Sequence, residues 1–258
     1  MDIVVCVKHV PDATGDRTFN ADNTVDRAGS DGLLSELDEY AVEEALKIAE
    51  AGDGEVTVLT VGPERASDAV RKSLQMGAHK GVHVRDDALH GSDSVATSLV
   101  LAKAIEKVDH DIVLCGMAST DGSMSVVPAM LAERLGLPQV TFASEVTVDG
   151  DTVRIRRDGD TATEIVEASS PLLVSVTDQC NDPRYPSFKG IMAAKKKPVE
   201  TWSLADIGLD ASQVGLAAAW TRVSTFQARP ARTAGQIVTD EGTGGVQLAE
   251  YLATQKFV

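Results

Sequence analysis

Four short apolar runs, residues 3–7, 56–61, 81–84 and 112–115, alternate with stretches of helical periodicity, and this alternation limits the fold more than any other feature of the chain. The runs are rich in Val and Ile and bounded by polar residues or Gly, as strands buried on both faces are. Between them, residues 39–51 carry Ala41, Ala45, Leu46 and Ile48 at helical spacing, and residues 66–76, 93–108 and 126–135 repeat the pattern. Strand and helix repeats of this kind build a parallel sheet through right-handed crossovers. The expected fold is therefore α/β, an open and mostly parallel sheet with helices on both faces. Aromatic residues make up only 4% of a chain that is 43% hydrophobic, so the core is expected to be aliphatic.

After Pro138 the period changes. Residues 145–148, the turn Asp149-Gly150, residues 152–156, and then 163–167 and 172–176 alternate with period two, which predicts antiparallel hairpins at one sheet edge. From Trp202 onward the signals weaken: residues 233–245 are turn-rich, and 246–256 read as a terminal helix. Such a tail has too little apolar surface to fold alone and is expected to lie across this domain or a partner. The chain thus divides into an α/β domain, 1–200, with its antiparallel edge at 145–176 and a special segment at 181–198, and an extended C-terminal arm, 201–258.

Charge excludes one class of partner. With 39 acidic against 24 basic residues the formal net charge is -15, whereas nonspecific nucleic-acid binding requires a basic face. No apolar run has the length of a membrane span and the first residues lack a signal peptide's apolar core, so a soluble, cytoplasmic protein is expected. Cys6, Cys115 and Cys180 are widely spaced and show no metal-binding or redox pairing pattern. No nucleophile stands beside a base, so no catalytic residue is assigned and no metal is expected.

In an open parallel sheet, ligands bind beyond the carboxyl ends of the strands, where strand order reverses. Turn-forming residues stand at those ends: Val61-Gly62-Pro63 after the second run, and the Gly- and hydroxyl-rich stretch 116–123 after the fourth. A loop of that composition leading into a helix presents backbone N–H groups to an anion. On the residues alone it reads more readily as an ordinary connection capped by Asp121 or Ser123. The same pair of readings holds for Gly91, Ser92 and Asp93, which either face a phosphate or cap the following helix.

Residues 181–198, NDPRYPSFKGIMAAKKKP, are the remaining peculiarity. Prolines flank Arg184 and Tyr185 and disfavour helix, so an extended, exposed segment without regular structure is expected. Phe188, Ile191 and Met192 would stand near solvent, followed by Lys195, Lys196 and Lys197. An apolar knob beside a basic cluster suits a docking surface, and a solvated loop is the plainer alternative. Arg157 and Asp158 read as a hairpin tip, since Asp158-Gly159-Asp160 is a turn sequence.

Together with the preceding SSPLLVSVTDQC, residues 169–180, this segment resembles the signature region of electron-transfer flavoprotein β subunits. The resemblance runs from MDIVVCVKHVPD at the start to QARPARTAGQIV near the end. It implies an adenine-nucleotide-binding, HUP-like domain whose crevice holds AMP or, in some subgroups, a second FAD. Matching segments place that nucleotide beside Cys6, Ser35, Glu36, Leu37, Asp38 and Val61, and along the loop Gly116, Met117, Ala118, Ser119, Thr120, Asp121, Gly122, Ser123, Met124, Ser125, Val126 and Val127. Asp121 matches the acidic residue at the loop's centre. Val126, Val127 and Pro128 depart from the family's Gln, small residue and Gly, which leaves phosphate contacts to Ser123, Ser125 and the preceding amides. Residues 85–98 resemble a motif of the subgroup associated with electron bifurcation; through Gly91, Ser92, Asp93 and Thr97 it favours a second FAD over AMP, although Asp87, Leu89 and His90 differ from the usual Arg, Phe and Ala.

The resemblance further implies the small subunit of a heterodimer in which the α subunit holds the principal FAD. Arg157 and Asp158 correspond to an Arg-Glu pair that meets the α subunit. Arg184, Tyr185, Phe188, Ile191, Met192, Lys195, Lys196 and Lys197 would meet acyl-CoA dehydrogenases or other flavin dehydrogenases, with a quinone reductase as the only link to a membrane. Alternatives are a component of a bifurcating complex that oxidises NADH and, from another class, an adenine-nucleotide sensor module.

Overall fold

The structure, a computed structural model, describes residues 1–232, 235 and 237–257. In chain order its strands and helices are β1 (Asp2–Cys6), β2 (His9–Pro11), β3 (Gly32–Leu34), α1 (Glu36–Ala51), β4 (Glu55–Val61), α2 (Ser67–Met76), β5 (Lys80–Val84), α3 (Ser94–Ile105), β6 (Ile112–Gly116), α4 (Val127–Leu135), β7 (Gln139–Asp149), β8 (Thr152–Asp158), β9 (Thr163–Ser169), β10 (Leu172–Val176), α5 (Phe188–Ala194), β11 (Val199–Trp202), α6 (Gly215–Ala218) and α7 (Gly244–Thr254). One nine-stranded sheet runs in the order β11-β5-β4-β1-β6-β10-β7-β8-β9. Its pairs are parallel from β11 to β7, and β7-β8 and β8-β9 are antiparallel.

The apolar runs are continuous because both faces of the sheet are covered. Ile3, Val5, Leu114, Leu172 and Val174 point into one core with Ala41, Ala45 and Leu46 of α1 and Val70 and Leu74 of α2. Val4, Val113 and Leu173 point the other way, against Val100 and Ile105 of α3 and Leu131 of α4. Successive strand residues serve opposite layers, which fills the sheet with Val, Leu and Ile rather than with an alternating pattern. Helix α1 begins three residues before its periodic stretch, with Glu36, Asp38 and Glu39 in the first turn, where the helix dipole favours acidic side chains.

Two expectations are corrected, and one strand had no expectation. Residues 172–176 are not part of the antiparallel edge: β10 lies between β6 and β7, parallel to both, and all five of its residues are buried. Four of its five residues are apolar and Ser175 is buried with them, as in a strand covered on both sides; the turn residues around it misled the period-two reading. Residues 188–194 are not extended; Ser187 caps α5 by accepting the Gly190 N–H at 3.0 Å, so the prolines end where a capped helix begins. Edge strand β11 carries no apolar run and left no sequence signal.

The described chain forms two units, Met1–Ser224 and Thr225–Val258. Residues 201–224 lie within the first, where Leu204, Ile207, Leu209 and Val214 join the core beside α3. In the second, α7 buries none of its residues and exposes Val246, Leu248 and Tyr251. The turn-rich reading of 233–245 falls partly on residues 233, 234 and 236, which lie outside the described residues. Among the described residues, no helix is long and apolar enough to cross a membrane.

Candidate functional site

Strand β1 has β4 on one side and β6 on the other, so the chain leaves it in opposite directions and opens a crevice at the carboxyl ends. Cys6 and Cys115 are register partners at this point. Cys115 is buried, and its thiol is pushed up by the hydrogen bond it donates to Cys6 and by burial, which keeps it a protonated core thiol.

Helix α1 meets the crevice through its first turn. Ser35, fully buried, accepts the Thr120 N–H at 3.3 Å, and Asp38 accepts the Lys8 N–H at 2.8 Å. Gly116 is what lets the helix approach: a Cβ there would sit 2.7 Å from Asp38 Oδ1 and 2.8 Å from the Leu37 carbonyl. Burial pushes the Asp38 carboxyl up to about 7, against the N–H and positive charge of Lys8, which favour ionisation.

Loop 117–126 begins with Met117 N–H donating to the Val176 carbonyl at 2.9 Å. At its centre Asp121, with a side chain 6% exposed, accepts Lys8 Nζ at 2.7 Å and Arg27 Nη2 at 3.1 Å. Burial raises this carboxyl, but the Lys8 charge and hydrogen bond, with Ser119 and Arg27, outweigh it and hold Asp121 well below the usual carboxylate range. Lys8 Nζ also donates to Ser119 Oγ, and Arg17 donates to the carbonyls of Thr120 and Asp121. Ser123 and Ser125 both have positive φ, 52° and 57°, so the loop is bent into a conformation that most residues avoid. Beyond it Val126 offers α4 no side-chain cap, and Pro128 in the first turn has no N–H to donate. Met124 projects into solvent and Val127 is half-buried.

Residues 12–31 were not marked by the sequence, yet they form a canopy over the strand ends. On one side Arg17 and Arg27 hold the Asp121 loop; on the other His90 Nε2 lies 2.8 Å from Asp22 Oδ2. Lys8, Arg17 and Arg27 therefore gather three cations at a crevice of an acidic protein, a suitable surround for phosphate.

The second motif lies one strand further out, beyond β5, with Val61 at the end of β4 between the two. Asp93 caps α3 through the Ala96 N–H at 3.0 Å, and its other oxygen accepts the N–H groups of Trp220 and Thr221 at 2.9 and 3.0 Å. Ser92 Oγ accepts the Gly215 N–H at 2.8 Å. Gly91, at φ 77°, abuts Leu216, and Thr97 bonds within the helix to the Asp93 carbonyl. The chain's own residues 215–221 thus satisfy these side chains.

On the opposite face, α5 packs on α2 and exposes Phe188 (82%), Met192 (48%) and Ile191 (37%). Tyr185 is 91% exposed, and Lys195 and Lys196 are exposed. Arg184 and Lys197 are turned inward, the first to Glu43 and Glu50 and the second to three backbone carbonyls. Arg157 and Asp158 sit at the end of β8. Arg157 donates to the Thr141 carbonyl at 2.7 Å and pairs with Glu164; Asp158 accepts Ser144 Oγ, Thr163 Oγ1 and Arg156 Nε.

A doubly wound sheet with a cation-lined crevice at its switch point defines an α/β protein of the type in which nucleotides bind at strand ends. Comparison narrows the class. The family model for the electron transfer flavoprotein domain matches residues 22–207. The electron transfer flavoprotein subunit beta of Mycobacterium tuberculosis is 47% identical over the whole chain and 99% of its own length, and that of Megasphaera elsdenii is 34% identical over all of both. Subunit CarD of the caffeyl-CoA reductase-Etf complex of Acetobacterium woodii is 36% identical over 93% of this chain and 92% of its own. The chain belongs to the electron transfer flavoprotein β-subunit family.

Proposed function

We propose that the chain is the small subunit of a heterodimer that carries electrons from flavin dehydrogenases, acyl-CoA dehydrogenases among them, to a membrane quinone reductase. Its α partner holds the principal FAD, and the flavin when bound supplies the redox chemistry. This chain supports that partner, through the C-terminal arm and the Arg157-Asp158 end of β8, and fixes the distance and surroundings of the cofactor. The observation that carries the docking role is the exposed apolar face of α5, with Phe188 at 82% exposure beside Lys195 and Lys196. A large apolar side chain in solvent is worth its exposure when a partner's pocket desolvates it.

The crevice at the ends of β1 and β6 fits a second nucleotide, AMP or FAD. Gly116 lets the start of α1 close in on the strand ends, and Lys8, Arg17 and Arg27 supply positive charge beside them. Ser92 and Asp93 are already bonded to residues 215–221, so a phosphate would rest on the Asp121 loop rather than on those side chains.

A second reading, a component of a bifurcating complex that oxidises NADH, is favoured by the likeness to the Acetobacterium subunit. The sensor alternative gives way to the match across the whole chain. Co-expression with the α chain tests the proposal: a yellow heterodimer is expected, with one FAD for a simple carrier and two for a bifurcating one. A colourless chain that copurifies with no partner would remove it.

A further inference from the structure

A seven-residue helix has almost no stability of its own, because nucleation costs more than so few hydrogen bonds return. Helix α5 nevertheless holds Phe188, Ile191 and Met192 out into solvent while burying only Ala194. Its packing gives one reason: Gly190 lies so close to α2 that a Cβ would sit 2.5 Å from the Gln75 carbonyl. At the other end of the same face Ala194 is buried in the core that holds Val70 and Leu74 of α2. The remaining restraint comes from its two flanks.

At the entry, Arg184 is forked between two carboxylates of α1. Its Nε and Nη2 donate to Glu43 at 2.7 and 3.0 Å, Nη1 and Nη2 reach Glu50, and the Arg184 N–H bonds Glu43 as well. Glu43 is only 6% exposed, and its charge is balanced by this guanidinium. At the exit, Lys197 directs all three ammonium protons at the carbonyls of Leu74, Gly77 and Ala78, at 2.9, 2.9 and 2.6 Å. These carbonyls close the carboxyl end of α2, where the helix dipole favours a cation. The two clamps grip different helices, α1 and α2, and α5 spans the gap between them.

We infer that Arg184 and Lys197 are positioning residues that hold the docking helix in its binding orientation, whereas Lys195 and Lys196 are the cations that steer a partner. This inference rests on the docking role of α5 and assigns different work to neighbouring basic residues. A helix held in place before encounter loses little freedom on binding; one released from a clamp must be ordered by the partner, which weakens binding without altering electron transfer inside the complex. Lysine cannot replace Arg184, because an ammonium does not bridge two carboxylates in parallel forks.

The test is steady-state kinetics of an acyl-CoA dehydrogenase with the flavin-loaded heterodimer as the varied acceptor, across a series of ionic strengths. Arg184→Lys and Lys197→Met are expected to raise KM by about three- to tenfold with kcat unchanged. Their salt dependence should match the wild type. The double variant Lys195→Gln, Lys196→Gln should flatten that dependence. Hydrogen exchange of the amides of residues 188–194 in the Arg184→Lys heterodimer should quicken, a readout that stands even where Lys197→Met fails to fold. Phe188→Ala runs alongside. If it raises KM while both clamp variants behave as wild type, docking survives and the positioning role falls. If Phe188→Ala has no effect, the docking reading itself falls and takes the inference with it. A flattened salt dependence in Lys197→Met, or unaltered exchange in Arg184→Lys, also overturns the positioning role.

Discussion

Replacing Asp38 by Asn should make the protein's stability less sensitive to pH, in a direction that the burial of this side chain dictates. Asp38 is 6% exposed at the base of the crevice, and burial lifts its carboxyl from 3.8 to about 7. Its folded-state value therefore lies above its unfolded one, so between these values the folded chain binds the extra proton. The associated stability is fully present below pH 3.8 and is lost as the pH rises through 7. At about 1.4 kcal/mol for each pH unit, the gap corresponds to about 4 kcal/mol. Asparagine has the same shape and no charge to desolvate; its different hydrogen bonding adds an offset that does not vary with pH. Urea titrations of both proteins from pH 4 to pH 8.5, at one protein concentration, would measure the difference. The variant should gain on the wild type between about pH 4 and pH 7, by up to about 4 kcal/mol, and the difference should then level off. A constant difference, or one that moves against the variant, would refute the assignment of Asp38 as a carboxyl kept neutral by burial.

Two other substitutions address the crevice and the docking face. Asp121→Ala leaves Lys8 and Arg27 without their shared carboxylate and should cost about 1–3 kcal/mol while making residues 12–31 easier to cleave in limited proteolysis; an unchanged cleavage pattern would contradict the canopy described above. Phe188→Ala should slow electron exchange with an acyl-CoA dehydrogenase and leave the FAD content unchanged; unaltered exchange would contradict the docking role.

The sheet was legible where its strands are wholly buried. Val4 and Val5 point into different cores, and a run with no polar member could belong only to a covered strand. Leu172 to Val176 differs only by Ser175, and that polar position, with the neighbouring turn residues, drew the strand into the hairpins beside it. Helix α5 was obscured for a different reason: prolines 183 and 186 argue against helix only for the residues around them, and Ser187 starts a new one immediately afterwards. At the crevice, Gly116 and Asp121 could be picked out because they stand at the end of an evident strand. Arg17 and Arg27 could not, since they reach Asp121 from about 100 positions away in the chain through a segment with no period at all. Basic residues are also ambiguous as a class. Lys195 and Lys197 are identical in sequence terms, and only the carbonyls at the end of α2 distinguish a clamp from a solvated charge.

The most direct measurement is the identity and amount of nucleotide released when the purified heterodimer is denatured. The account predicts FAD together with one further adenine nucleotide, AMP or a second FAD, for each copy of this chain, and predicts that Asp121→Ala lowers the further nucleotide alone. Release of a single FAD with no other adenine nucleotide would contradict the assignment of the β1 and β6 strand ends as a nucleotide site.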